Sequence, residues 1–276
     1  MTGRQLLASL LAIAAVALAL VGLLSRYMRD EIVAPRAFGD RALAALDREP
    51  VRAAVVDAVA AQVEGRVPSA LLPPQQARAL AARVVATRAF RRSFRRTALD
   101  ANGVLFQDDA RAATLRLGAV SRAFDAVDPR IAPLLGEAAD QRLLTLRGDD
   151  VGIGTKRLAD AADSLAGWTL PVALAALIAA LLLAPRRLAL IRLAAVCALL
   201  AGALLLVALA LGRAAVVDAA SASSGVSLDQ ARDAAGAAWE EFTDDLRPWA
   251  LGAIAAGLVV TALTLVPAAF GRGRPA

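Results

Sequence analysis

The sequence predicts a mainly α protein, a four-helix transmembrane bundle with a helical (small α+β) extracytoplasmic domain inserted between spans 1 and 2. Three observations carry that prediction. Of the 276 residues 58% are hydrophobic, and they gather into four stretches without a single Asp, Glu, Lys or Arg: Gln5 to Ser25, Ser164 to Pro185, Leu193 to Gly212 and Pro248 to Gly271. Each reaches the roughly 20 residues of helix that cross a bilayer. The short segments between and beside them are basic and free of acid, and all 25 acidic residues lie in the two long polar segments.

The first element, residues 1–25, is an N-terminal tail and span. Arg4 and the run Ala17-Leu18-Ala19 also suit a cleaved signal peptide. The apolar region continues unbroken through Leu24, beyond the roughly 7–15 residues of a signal core, so an uncleaved anchor is expected. Residues 26–163 follow as the extracytoplasmic domain, and residues 164–212 as a hairpin of two spans with its turn at 185–187. Residues 213–247 form an outer loop and helix, and residues 248–276 the fourth span and a tail.

Orientation comes from arginine. Arg4, Arg186, Arg187, Arg192, Arg272 and Arg274 occupy the three segments that alternate onto one side, and none of these segments has an acidic residue. Positive loops stay in the cytoplasm, so both termini and the Pro185-Arg186-Arg187 turn are expected inside and residues 26–163 and 213–247 outside a plasma membrane. Arg192 lies just over a turn beyond Arg187 and can snorkel back to the headgroups. The large outer segment holds 22 basic and 18 acidic residues and the shorter one 3 and 7, so their fields are complementary. The sequence pI near 10.9 reflects the topology arginines, and no nucleic acid partner is expected.

Within the outer domain, Asp47-Arg48-Glu49-Pro50 offers an Asp N-cap with Pro in the first turn, and Val51, Val55, Val59 and Val63 then repeat every four residues. Pro68, Pro73 and Pro74 break the chain. A second helix is expected from about Gln75 to Asp100, ended by Asn102-Gly103 as a left-handed C-cap and packed on the first as a hairpin. Thr114 to Leu117 and Leu143 to Leu146 read as short strands with a helical pattern from Val120 to Val127 between them. Ser221 to Gly225 reads as a flexible joint, with a helix from Ser227 to the fourth span and Trp239, Trp249 and Trp168 near the outer interface.

The candidate interaction patch lies on the second helix. Arg88, Arg91, Arg92, Arg95 and Arg96 surround Phe90 and Phe94, which sit four apart on one face. A solvated basic face over two core phenylalanines is one reading. The others are docking onto the acidic run Glu240, Glu241, Asp244 and Asp245, or attachment to anionic lipid headgroups or wall polymer.

Catalytic chemistry finds little purchase. The chain has no His, and its one Cys, Cys197, sits inside the third span without a partner. No span carries an ionisable group, which disfavours ion-coupled transport. Gly152 to Lys156 lacks the order of a phosphate loop. Asp100, Asn102, Asp108 and Asp109 lack the Gly and Glu positions of a calcium loop, and Ser221, Ser223 and Ser224 have no base. No enzyme activity, cofactor or metal is expected.

The segments DREPVRAAVVDAVAAQVE at 47–64, FRRSFRRTALDANGVLF at 90–106, ATLRLGAVSRAFDAV at 113–127, WTLPVALAALIAALLLAPRR at 168–187 and WEEFTDDLRPWAL at 239–251 together resemble an actinobacterial family of uncharacterised four-transmembrane integral membrane proteins with a large extracytoplasmic domain after the first span. The resemblance covers nearly the whole chain through loose patterns of type and spacing, and it implies fold and location rather than an activity. Members often carry an aromatic and a His in the region matching 94–102, where this chain has neither His nor Trp. The order of one span, a large outer domain and three more spans also resembles the permeases of mechanotransmitting ABC systems. Those grip a cytoplasmic ATPase, for which the short turn here leaves little surface. The expected role is therefore non-enzymatic: a binding scaffold or accessory subunit of the cell envelope, with the lipid bilayer and an envelope protein or anionic wall or lipid component as partners and homo-oligomers open. A transport-class protein, an ABC-type permease subunit or a pore, is the alternative.

Overall fold

A computed structural model describes residues 3–65, 72–106, 112–116, 142–147, 154–184, 187–223 and 227–270. The chain divides into two compact units: Met1–Arg29 with Asp160–Gly212 and Thr243–Ala276, and Asp30–Ala159 with Arg213–Phe242. The described residues are nearly all helical.

Helix α1 spans Gly3–Tyr27, α6 Gly154–Leu183, α7 Arg187–Ser223 and α9 Leu246–Phe270. All four are long and apolar enough to cross a membrane, and the chain is a multi-pass membrane protein on that basis. Their packing is small inside and large outside. Ala12 and Ala180 are fully covered and form a cluster with Ala8 and Leu190, while Leu10, Leu182, Leu204 and Leu263 stand exposed. Acyl chains are as apolar as leucine, so leucine gains little by facing inward, and close backbone approach decides which residues meet. Gly202 and Gly257 show that approach. A Cβ built on Gly202 would lie 2.7 Å from the Ala250 carbonyl oxygen, and one on Gly257 would lie 2.6 Å from that of Ala195. Buried Thr169 gives its hydroxyl proton to the Leu165 carbonyl at 2.7 Å, and Thr261 gives its own to Gly257 at 2.7 Å, which satisfies both side chains within their own helices. Cys197 lies half-buried in α7.

In the second unit, a π-helical segment, Met28–Val33, leads to α2, Pro35–Asp47. Then come α3, Glu49–Glu64, α4, Pro74–Val85, and α5, Arg88–Phe106. Helix α2 packs on α5 and α3 on α4. Phe90 is wholly buried in a core of Leu46, Val59, Val63, Leu80 and Val84, and Phe94 stacks on it at 6.2 Å between ring centroids. Strands β1, Ala112–Arg116, and β2, Arg142–Arg147, pair antiparallel, Thr114 opposite Thr145, with an irregularity between Leu115 and Arg116. This ribbon is all the sheet among the described residues, so the small α+β domain of the sequence prediction reduces to a helical unit with one hairpin-like pairing. Helix α8, Leu228–Thr243, completes the unit.

Several boundaries differ from expectation, each for a local reason. The N-cap of α3 is Arg48, in extended conformation and without a side-chain cap, because the Asp47 carboxylate is taken by Arg91. The valine stripe turns: Val56, Val59, Ala60 and Val63 are buried, while Val51 and Val55 are only partly covered. A repeat of four drifts about 40° per step on a helix, so spacings of three and four must mix to stay on one face. The single helix expected from Gln75 to Asp100 is two. Helix α4 stops at Val85, and Thr87 starts α5: its hydroxyl accepts from the Phe90 N–H at 3.2 Å and donates to the Val84 carbonyl at 2.7 Å. The Asn102-Gly103 pair lies inside α5 rather than capping it, because Asn102 is wholly buried and its Nδ2 donates to the Ile32 carbonyl at 3.0 Å. Helix α7 continues through Ser223, into the expected joint, and α8 ends at Thr243 before α9 begins at Leu246. The helix expected at 120–127, Pro68, Gly152, Asp108, Asp109, Arg186, Arg272 and Arg274 lie outside the described residues.

Candidate functional site

The second unit is held by arginine–carboxylate pairs between helices, and these sort the candidate patch. Arg91 meets both carboxylate oxygens of Asp47 on α2, Nη2 to Oδ2 at 2.8 Å and Nη1 to Oδ1. Arg95 Nε donates to Asp40 Oδ1, also on α2, at 2.8 Å. The Arg91 hydrogen bond holds the Asp47 carboxyl below the usual carboxylate range, and the same bond raises Arg91. These two members of the cluster fasten α5 to α2.

Arg88, Arg92 and Arg96 are different. All three are exposed, and none has an acidic partner among the described residues. Arg92 Nε donates to the Arg88 carbonyl at 3.3 Å. The five arginines therefore form two rows on one helix, one turned to α2 and one to solvent.

The acidic run is met by other arginines. Glu241 Oε2 accepts from Arg48 Nε at 2.7 Å, and the Glu241 carbonyl accepts from Arg41 Nη1 at 3.0 Å. Arg41, with only 14% of its side chain exposed, also binds Glu31 Oε2 through Nε and Nη2 at 3.1 and 2.9 Å. Glu240 lies 3.4 Å from Arg213, and Gln230 donates to Asp57, which Arg78 also holds at 2.7 Å. Phe242 meets Phe38 at 5.2 Å, and Phe38 meets Phe106 edge-on at 6.4 Å. Thus α8 docks on α2 and α3 through Arg41, Arg48 and Asp57. The docking that one reading assigns to Arg88 to Arg96 is made instead by Arg41 and Arg48, residues whose role their sequence context does not reveal. Asp244 and Asp245 belong to the membrane unit.

Each unit also carries a cleft of note. A shallow groove of about 630 Å³ between α3 and α4 has an alanine floor at Ala53, Ala79 and Ala82 and charged edges at Glu49, Arg52 and Arg78. In the membrane unit, a cleft of about 190 Å³ among α1, α7 and α9 is lined by Leu20, Leu24, Ala198, Gly202, Leu205 and Trp249 and is almost wholly apolar. Among the described residues, no group of three or more His, Cys, Asp or Glu side chains is placed to hold a metal ion. Of the topology arginines, Arg187 opens α7 as an exposed residue and Arg192 follows in the same helix. No protein-family model, curated protein or solved structure matches the chain.

Proposed function

We propose that the chain works in the plasma membrane as a non-enzymatic binding scaffold or accessory subunit of the cell envelope, with the second unit on the outer face. The observation that carries the reading is the partition of charge. Arginines without acids flank the spans at Arg4, Arg186, Arg187, Arg192, Arg272 and Arg274, and every acidic residue lies in the two segments that alternate to the other side. A further support is that α2, α3 and α8 of those two segments are tied by Arg41, Arg48 and Asp57. Two stretches far apart in the chain are thereby held together, which the reading requires. The resemblance to actinobacterial four-span proteins agrees with this placement, and the alanine- and glycine-rich spans suit close contact between copies.

The test is brief crosslinking in native membranes, affinity purification of the full chain and mass spectrometry of what accompanies it. Envelope or secreted proteins, or wall material, are the expected company. The order of one span, an outer domain and three spans favours the permease reading as a second choice, and stoichiometric recovery of an ABC-type ATPase would establish that reading instead. Ion conductance in planar bilayers would mark a pore.

A further inference from the structure

Helix α5 divides its arginines by their partners, and the row left over is ordered. Arg88, Arg92 and Arg96 stand at every fourth position of Arg88–Phe106, so they rise about 6 Å apart and turn gradually, by about 40° per step, around the solvent side of the helix. Arg91 and Arg95 spend their charge on Asp47 and Asp40, whereas the outer three find no carboxylate among the described residues. Asp100, one turn beyond Arg96, is exposed and closes the row with a negative charge.

The placement works against the helix. Its first turn contains no acidic residue and opens on Arg88, where the positive end of the helix dipole favours an anion. A row of cations at that end raises the energy of the unliganded protein, and an anionic ligand relieves both the dipole and the mutual repulsion. The chemistry of the surroundings selects among anions. No large apolar side chain of α2 to α5 is exposed, so the row lacks the apolar edge by which an amphipathic helix lies in a bilayer surface. It likewise lacks the exposed aromatic anchors on which a protein partner would centre. A row of guanidiniums at one-turn spacing suits a chain of repeating anionic groups that runs along the helix.

We propose that Arg88, Arg92 and Arg96 form a ladder for a linear polyanion of the envelope, a polymer bearing phosphate or carboxylate on successive units. The proposal rests on the reading that the second unit is an outward binding module, and it names the ligand of that module.

The test uses the full chain in discs of zwitterionic lipid, titrated with fluorescent long-chain inorganic polyphosphate and with polygalacturonate as the phosphate and carboxylate probes. The wild type should bind with an affinity that falls steeply with salt. The triple variant R88A/R92A/R96A should bind at least about tenfold more weakly with a flatter salt dependence, since three cationic contacts to the polymer are lost together. Its melting should not fall, because the three make no inter-helix ion pairs and their removal relieves the repulsion at the start of α5. The triple Lys variant should keep most of the binding, which guards against a folding defect in the alanine protein. Equal binding by wild type and triple Ala variant overturns the ladder. So does tighter binding to vesicles rich in anionic lipid than to either polymer at equal charge. Sedimentation of both proteins with isolated envelope material separates the two claims. Equal co-sedimentation of wild type and variant leaves the outward binding module standing without the ladder, and no co-sedimentation of either removes both.

Discussion

Arg91 and Asp47 face each other with two parallel hydrogen bonds, guanidinium edge to carboxylate edge, and so join the first turn of α5 to the last residue of α2. The Asp47 carboxyl is held below its ordinary value, first by that hydrogen bond and then by charge attraction to Arg91. A carboxyl lowered in the folded state adds stability above its unfolded value, near pH 4, and the gain is lost as pH falls through the lowered folded value. Both side chains are substantially exposed, 57% for Asp47 and 36% for Arg91, so solvent screens the pair. Asp47→Asn should cost about 0.5–1 kcal/mol at neutral pH and remove that part of the acid sensitivity, as read by melting in detergent from pH 3 to pH 7. An unchanged acid limb would separate the pair from stability.

Arg41 should matter more than any arginine of the α5 cluster. It is mostly covered and serves two acceptors, the Glu31 carboxylate and the Glu241 carbonyl. Removing it takes a donor from the Glu241 carbonyl and the cation from Glu31, and it also empties a mostly covered site, at a cost of about 1–3 kcal/mol. Arg41→Ala should therefore lower the melting temperature and speed proteolysis within residues 213–242. Arg92→Ala, on the outer row, should do neither.

Between α7 and α9, glycine replaces side-chain packing. Gly202→Ala and Gly257→Ala each force a methyl group against a carbonyl oxygen closer than van der Waals contact allows, so each should cost about 1–3 kcal/mol. Gly167→Ala and Gly252→Ala meet nothing within 4 Å and should be neutral or stabilising by up to about 1 kcal/mol, since alanine favours helix. Thermal aggregation curves for the four single variants check the contrast.

Asn102 is wholly buried and satisfies the Ile32 carbonyl where the π-helical segment gives way to α2. Asn102→Ala should cost about 1–3 kcal/mol by leaving that carbonyl without a donor, and Asn102→Asp more, because it buries a charge. Hydrogen exchange should then rise at Met28–Val33 before it rises in α3 and α4.

The sequence stated plainly what the bilayer requires, because a span is written as one uninterrupted apolar run; the four stretches from Gln5, Ser164, Leu193 and Pro248 fall on α1, α6, α7 and α9. Helix ends were harder to read. Thr87 breaks the second helix through its hydroxyl, yet it stands within Val-Val-Ala-Thr-Arg with no glycine or proline beside it. Asn102 has the composition of a cap and the burial of a core residue, and only the tertiary fold that brings Ile32 to it decides between them. The arginine cluster was visible as a group. Its division was not, since the periodicity separates Arg91 and Arg95 from Arg88, Arg92 and Arg96 without saying which row meets Asp40 and Asp47 on α2. Arg41 and Arg48 were missed because nothing local distinguishes a bridging arginine from a solvated one.

Cys197 carries a practical consequence. It is the chain's one thiol, half-buried in α7 within a stretch that crosses the bilayer. A spin label or small fluorophore placed by thiol chemistry reports from a single address, without the cysteine-free background that most membrane proteins need before such work. Paramagnetic quenchers of graded solubility would then measure the depth of that address directly, and the wild-type protein is already its own ruler.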